Sequence, residues 1–345
     1  MGEIPPLVFG HNPLDFMATD LVICARAKSG NKFIPEPGPS SFLKFADTVP
    51  VPKPSDAVAD VDAWVRELFK QAIWGKDSRT GAPRGDILVF VHGYNNAQDF
   101  VVKRLRQLKA DLATAGYKGA VTAFDWPAAD MTLNYLEDRH DAKVTALQLV
   151  NDCIKLFAAK QTPDCCINVH LIGHSTGAYV IREAFDDADD TEIPNASWLV
   201  SQIVLIAGDI SSASLAADSD TSASVYRHCV RLTNYSNRGD TVLKLSNVKR
   251  LGMAPRVGRV GLPDNHPDKA VNVDCTNYFN VLNSDASVKA ADQRASLGTF
   301  DHSWHIGNRI FAADLFETLR GDLDRTIIPT RTTDGSGKLI LQRIP

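Results

Sequence analysis

Ile167-Asn168-Val169-His170-Leu171-Ile172-Gly173-His174-Ser175-Thr176-Gly177-Ala178-Tyr179 reads as a short buried strand, a Gly-x-Ser-x-Gly turn and the first turn of a helix. Val169, Leu171 and Ile172 precede the turn, and Ala178, Val180, Ile181, Ala184 and Phe185 follow it at helical spacing. A serine in that setting sits at the tip of a sharp strand-to-helix elbow. Glycines flank it because bulkier residues would collide as the backbone doubles back. The hydroxyl is then exposed beside the amides of a helix N-terminus, where a developing oxyanion is stabilised. Ser175 is therefore the candidate nucleophile.

Outward from the elbow, apolar runs alternate with helical periods. Asp86-Ile87-Leu88-Val89-Phe90-Val91 has the continuous apolar character of a strand buried on both faces of a parallel sheet. The spacing predicts a helix through Val101, Leu105, Leu108 and Leu112, a strand over 120–125, and a long helix carrying Val144, Leu147, Val150, Ile154 and Phe157. Further strands are expected over 202–207 and 228–235, and a helix over 308–319. Such alternation means an α/β protein with a doubly wound, mainly parallel sheet.

Three regions stand outside that rhythm. Residues 1–56 are proline-rich and read as an extended wrapping segment with one strand-like stretch at 20–25; Ser55-Asp56 can cap a following helix that runs to about Trp74. Within a catalytic domain spanning 57–325, the irregular stretches 209–224 and 247–299 follow strand ends and are expected to form pocket walls or a small cap. Residues 326–345 form a tail with a hairpin signal at Asp334-Gly335-Ser336-Gly337.

An alcohol needs a positioned base, itself oriented by a carboxylate. In this arrangement the partners follow the serine in the order acid, then histidine. Asp240, directly after the 228–235 strand, is the preferred acid, with Asp209 after the preceding strand as its competitor; either could instead be an ordinary turn or helix-cap aspartate. His302 is the preferred base, with His305 as the alternative on the same loop. The amide of Thr176 and that of Tyr94, in the His92-Gly93-Tyr94-Asn95-Asn96 loop, are the candidate oxyanion donors. Tyr94, Trp126 and Trp304 are candidate pocket-lining side chains.

The segments Val89–Asn96, Phe124-Asp125-Trp126-Pro127, Gly173–Gly177, Asn237–Leu243 and Asp301-His302-Ser303-Trp304 together resemble the α/β-hydrolase superfamily. More narrowly, the His-Gly-Tyr-Asn-Asn loop with its Trp-Pro strand end is similar to a poorly characterised bacterial group of esterase-like hydrolases. The resemblance covers about residues 86–320. It implies the α/β-hydrolase fold and carboxylic-ester hydrolysis by Ser175, Asp240 and His302, on a small-molecule ester of short to medium acyl chain. Thr176 departs from the bulky apolar residue, often Met, that the group carries there. The rival readings are an acyltransferase or thioesterase using the same serine, and a catalytically silent binding or scaffold protein.

Bulk properties narrow the rest. The chain has 345 residues, 37 Lys plus Arg against 41 Asp plus Glu, and a net charge of −4, so nucleic acid and anionic membrane surfaces are not expected partners. There is no run long enough to span a bilayer, and the first residues do not read as a signal peptide, so a cytoplasmic protein with six reduced cysteines is expected. No cofactor and no metal is expected: His266-Pro267-Asp268 and His302–His305 offer too few ligands. The arginines at 250, 256 and 259 read as a solvated positive loop, with an acidic substrate group as the other possibility. Oligomeric state is left open.

Overall fold

A computed structural model describes residues 19–128, 135–159, 166–190, 199–249 and 254–344. The start of the chain, Cys165 and Arg250 lie outside the described residues.

One eleven-stranded sheet runs through the molecule in the order β10-β11-β9-β8-β7-β6-β4-β5-β1-β2, with β3 paired to β4. The strands are β1 (Thr19–Ser29), β2 (Lys32–Ala46), β3 (Ile73–Lys76), β4 (Pro83–Val91), β5 (Ala120–Asp125), β6 (Cys166–His174), β7 (Val200–Ile206), β8 (Cys229–Ser236), β9 (Ala270–Asp274), β10 (Arg331–Thr333) and β11 (Leu339–Leu341). Strands β4 to β9 pair in parallel; the antiparallel pairs are β1 with β2, β3 with β4 and β10 with β11. The helices are α1 (Val61–Ala72), α2 (Gln98–Ala115), α3 (Tyr135–Leu149), α4 (Lys155–Ala158), α5 (Gly177–Asp190) and α6 (Asp220–Arg227). They continue as α7 (Thr241–Lys249), α8 (Val257–Val260), α9 (Thr276–Ser284), α10 (Ala286–Asp292), α11 (Phe300–Ser303) and α12 (Arg309–Arg320).

The two-residue period of a strand divides the core in two. Ile87, Val89 and Val91 of β4 pack with α1, α3 and α5, while Leu88 and Phe90 pack on the opposite face with α2, α9 and α12. This is a doubly wound sheet. From β4 the chain moves outward to β5 and then returns to place β6 on the other side of β4. The loops after β4 and β6 therefore leave the sheet at its switch point, where such sheets open a crevice. Those two loops carry Tyr94 and Ser175. No helix among the described residues is long and apolar enough to cross a membrane.

Four expectations are corrected. Within the expected extended segment 1–56, residues 19–46 form a hairpin on the sheet edge, so regular structure reaches well beyond the single strand expected at 20–25. Pro35, Pro37 and Pro39 are accommodated because β2 is the outermost strand and its register with β1 shifts at two places. Helix α1 starts at Val61, capped by Asp60, whose side chain accepts the Ala63 amide at 2.9 Å. In α3, Val144 and Leu147 are exposed while Ala142, Ala146 and Leu149 are buried. The cause is a π-helical turn over Val150–Ile154, whose extra residue rotates the preceding stripe by about 100°. Finally, the described part of 247–299 is not irregular, because it contains α8, β9, α9 and α10.

Candidate active site

Local sterics set the elbow. Ser175 has φ of 55°, in the left-handed region that a side chain tolerates only when its surroundings hold it. A Cβ at Gly177 would lie 2.2 Å from the Val91 carbonyl oxygen, and one at Gly93 would lie 2.7 Å from the Ser175 Cβ. Neither glycine can be replaced without moving the serine or the neighbouring strand. The other described non-glycine residues with positive φ are Asn95, which lines the same crevice, and Ala207, which directly follows β7 and precedes Asp209 by two residues. Strain is thus concentrated around Ser175.

The described structure brings together Ser175, Thr176, Tyr94 and His302 in the lining of one cleft of about 680 Å³. Asp240 lies directly behind the histidine. Its Oδ2 accepts the Nδ1 hydrogen of His302 at 2.7 Å, across 62 residues of sequence. Its Oδ1 accepts the Leu243 amide at 2.8 Å, so one carboxylate both caps α7 and orients the ring. With Nδ1 protonated toward the carboxylate, the ring presents Nε2 as an acceptor. Asp301 ties the same loop down from the other side: its Oδ2 accepts the Thr241 amide at 2.9 Å and also the Thr241 hydroxyl.

Asp209, the competing acid, also lines the cleft but has other partners. Its Oδ1 accepts the Ser246 hydroxyl at 3.0 Å and faces Arg256 Nε at 3.3 Å. Arg256 is buried, so this arginine is not part of the solvated loop its charge suggested. The rest of 210–224 contributes nothing to the described cleft lining, and 247–299 contributes only Gly298 and Thr299.

Two of the candidate pocket residues are elsewhere. Trp126 is fully buried, stacks on His92 and donates from Nε1 to the His92 carbonyl at 2.7 Å. Trp304 is equally buried, among Tyr278, Phe279, His305 and Phe311. Both pack the core behind the site, and neither lines the cleft.

The loop carrying Tyr94 is held by a buried ionic group. Asp125 Oδ1 accepts from Arg26 Nε at 2.8 Å and lies 3.2 Å from His92 Nε2. Arg26 Nη2 in turn donates to the Asn96 carbonyl at 2.8 Å, and Asn96 Nδ2 donates back to the Gly93 carbonyl at 2.6 Å. Burial alone would raise the Asp125 carboxyl; Arg26 and His92 outweigh it and hold the group well below the usual carboxylate range. Asp125 was legible only as part of a strand-end motif. Arg26 carried no signal beyond its place at the end of an apolar strand.

His305 is no base. It is fully enclosed, it stacks on Trp304 at 4.2 Å, and neither ring nitrogen has a hydrogen-bond partner among the described residues. Burial, reinforced by His302, pushes it down to about 3. An unfolded histidine titrates at about 6.5. The folded protein therefore keeps this ring neutral while the unfolded chain takes up a proton. That contribution is intact above about pH 6.5 and is lost progressively as pH falls toward the folded value, amounting to about 2 kcal/mol by pH 5. His305→Phe, which keeps a ring against Trp304, is expected to lose about 2 kcal/mol less between pH 7 and pH 5 in urea unfolding. Equal losses in the two proteins would show that this ring is not a buried neutral histidine.

With the geometry in hand, the chain can be set beside known proteins. A family model described as "Alpha/beta hydrolase of unknown function (DUF900)" matches residues 72–287. No curated protein matches. Among solved structures, a putative hydrolase from Agrobacterium vitis is similar at 10% identity, over 74% of this chain and 89% of that one, with a TM-score of 0.33. A dienelactone hydrolase from Anabaena variabilis is similar at 16% identity, over 60% and 82% of the two chains, with a TM-score of 0.32. A Bacillus licheniformis lipase, BlEst2, is similar at 12% identity, over 63% and 93%, with a TM-score of 0.33.

Proposed function

The chain belongs to the DUF900 family of α/β hydrolases, and from that premise we propose that it is a serine hydrolase cleaving carboxylic esters of short to medium acyl chain through an acyl-enzyme. The observation that carries the reading is the 2.7 Å hydrogen bond between His302 and Asp240, with His302 and Ser175 facing one cleft. In the proposed reaction Ser175 Oγ attacks the ester carbonyl carbon while its proton passes to His302 Nε2. The amides of Tyr94 and Thr176 stabilise the oxyanion. Collapse breaks the bond to the alkoxy oxygen, which leaves as the alcohol with the proton from His302. A water molecule then repeats the sequence on the acyl-serine, giving the carboxylic acid and free Ser175. Asp240 keeps its negative charge throughout and stabilises the imidazolium.

A fluorophosphonate probe tests the nucleophile, and a panel of 4-nitrophenyl esters from acetate to decanoate tests the substrate class. The expected result is a stoichiometric adduct and turnover that peaks at short to medium chain length. An adduct with turnover only on thioesters, or only with an added acceptor alcohol, would favour the thioesterase or acyltransferase reading. A protein that neither labels nor turns over any ester is a silent hydrolase-like scaffold.

A further inference from the structure

Arg104 projects from the apolar face of α2, between Val101, Leu105 and Leu108, and is 3% exposed. Its guanidinium lies over the Phe100 ring, 4.6 Å from the centroid, and its hydrogen bonds go to neutral acceptors alone. Nε and Nη2 donate to the Leu297 carbonyl at 3.3 and 2.8 Å, Nη2 also donates to Ser303 Oγ at 2.8 Å, and Nη1 donates to His174 Nδ1 at 3.3 Å. One Nη1 hydrogen is left over. No carboxylate of the described residues lies within 4 Å of the group, and burial pushes it down to about 10. A buried cation without a counter-charge is unfavourable by several kcal/mol, and Arg104 is retained in the wall of the cleft that holds Ser175 and His302. The acids of that lining have partners already: Asp99 pairs with Lys103 and Asp209 with Arg256. A second polar group in the same wall is the Thr176 hydroxyl, 3% exposed and without a hydrogen-bond partner among the described residues.

We propose that Arg104 is the anion anchor of the substrate site, and that the preferred substrate is an ester bearing a carboxylate or similar anionic group a few atoms from the scissile carbonyl. The proposal rests on the serine-hydrolase reading for its chemistry but not for its binding. The guanidinium touches His174 and Ser303, the chain neighbours of Ser175 and His302, so an anion bound there stands close to both reacting groups. Thr176 Oγ1 supplies a neutral donor that can share the load. His174 stays neutral, pushed down by burial and then by Arg104, and its Nε2 donates to the His302 carbonyl at 3.2 Å. Arg104 thereby also braces the loop of the base. Truncating it lowers all activity somewhat, and only the ratio between substrates isolates the anchor.

The comparison is mono-4-nitrophenyl glutarate against 4-nitrophenyl pentanoate, which match in chain length and differ in the terminal charge. The wild type is expected to favour the glutarate at least tenfold in kcat/KM, as a charge-assisted hydrogen bond in a buried site provides. Arg104→Met is expected to reduce that ratio at least tenfold, and Arg104→Lys to reduce it less. A wild type that prefers the neutral ester, or a ratio unmoved in Arg104→Met, overturns the proposal. Calorimetry with monomethyl glutarate gives a readout independent of turnover: binding to Ser175→Ala that is at least tenfold weaker in the Ser175→Ala, Arg104→Met double variant supports the anchor. Absence of binding to the folded single variant sinks it. Failure of fluorophosphonate labelling would instead remove the serine-hydrolase reading and leave the binding result to stand alone.

Discussion

Ser175→Ala is expected to remove fluorophosphonate labelling and to lower kcat/KM on the best ester by about 10⁴-fold or more, because the covalent route is lost altogether. The fold should not notice. Alanine keeps the Cβ that the elbow already accommodates, and the backbone bonds of the turn do not involve the hydroxyl: the Ser175 amide donates to the Ile206 carbonyl at 3.0 Å, and its carbonyl accepts from Asp209 at 3.0 Å. Ser175→Gly separates the chemical role from the backbone role. It removes the same nucleophile but relieves a side chain held at φ of 55°, so it should be at least as stable as the wild type, by up to about 1 kcal/mol. The measurements are active-site labelling, ester kinetics and thermal unfolding on the three proteins. An alanine variant that labels as fully as the wild type places the nucleophile elsewhere. A glycine variant that is markedly less stable shows that the elbow is not strained.

The legible part of this molecule was the part in which local pattern and tertiary position coincide. The apolar run of β4 has to be a strand buried on both faces, and the β6 elbow needs glycines where a Cβ would strike the adjoining strand. Chain order after successive strands was enough to bring Asp240 and His302 forward, although nothing local links two residues 62 positions apart. Asp240 also resolves a choice the sequence left open, since it is a helix-cap aspartate and the partner of the ring at once.

What was illegible depended on which way a side chain faces and on what crosses the molecule to meet it. Trp126 and Trp304 adjoin motif residues in sequence, yet both turn inward, because a large aromatic next to a loop is drawn to the core on the far side of the backbone. The inward face of α3 was displaced by a π turn that leaves no mark in a 3.6-residue pattern. Arg104 did leave one: an arginine three residues after Val101 and four before Leu108, on a stripe that is apolar but for it and Asp111. A charge in such a stripe is a question about what neutralises it. Arg256 left none, because its buried partner, Asp209, lies 47 positions away on the other side of α6 and β8.

Asp240 and Asp209 both border the site, and conversion of each to asparagine should fail in a different way. In Asp240→Asn the amide oxygen can still accept the Leu243 amide, so α7 keeps its cap. The amide nitrogen then faces His302 Nδ1 as a donor, which forces the ring to place its hydrogen on Nε2. A ring in that tautomer cannot take the proton from Ser175, and kcat is expected to fall about 10⁴-fold with little change in stability. Asp209→Asn leaves His302 untouched but removes the charge opposite Arg256 at 3.3 Å, with both groups buried. Stability is then expected to fall by about 3 kcal/mol while kcat stays within tenfold of the wild type. Thermal unfolding and ester kinetics on the two variants separate the cases. If Asp209→Asn is the change that destroys kcat while Asp240→Asn retains it, the orienting carboxylate lies after β7, and the 2.7 Å contact of Asp240 serves only to hold the loop.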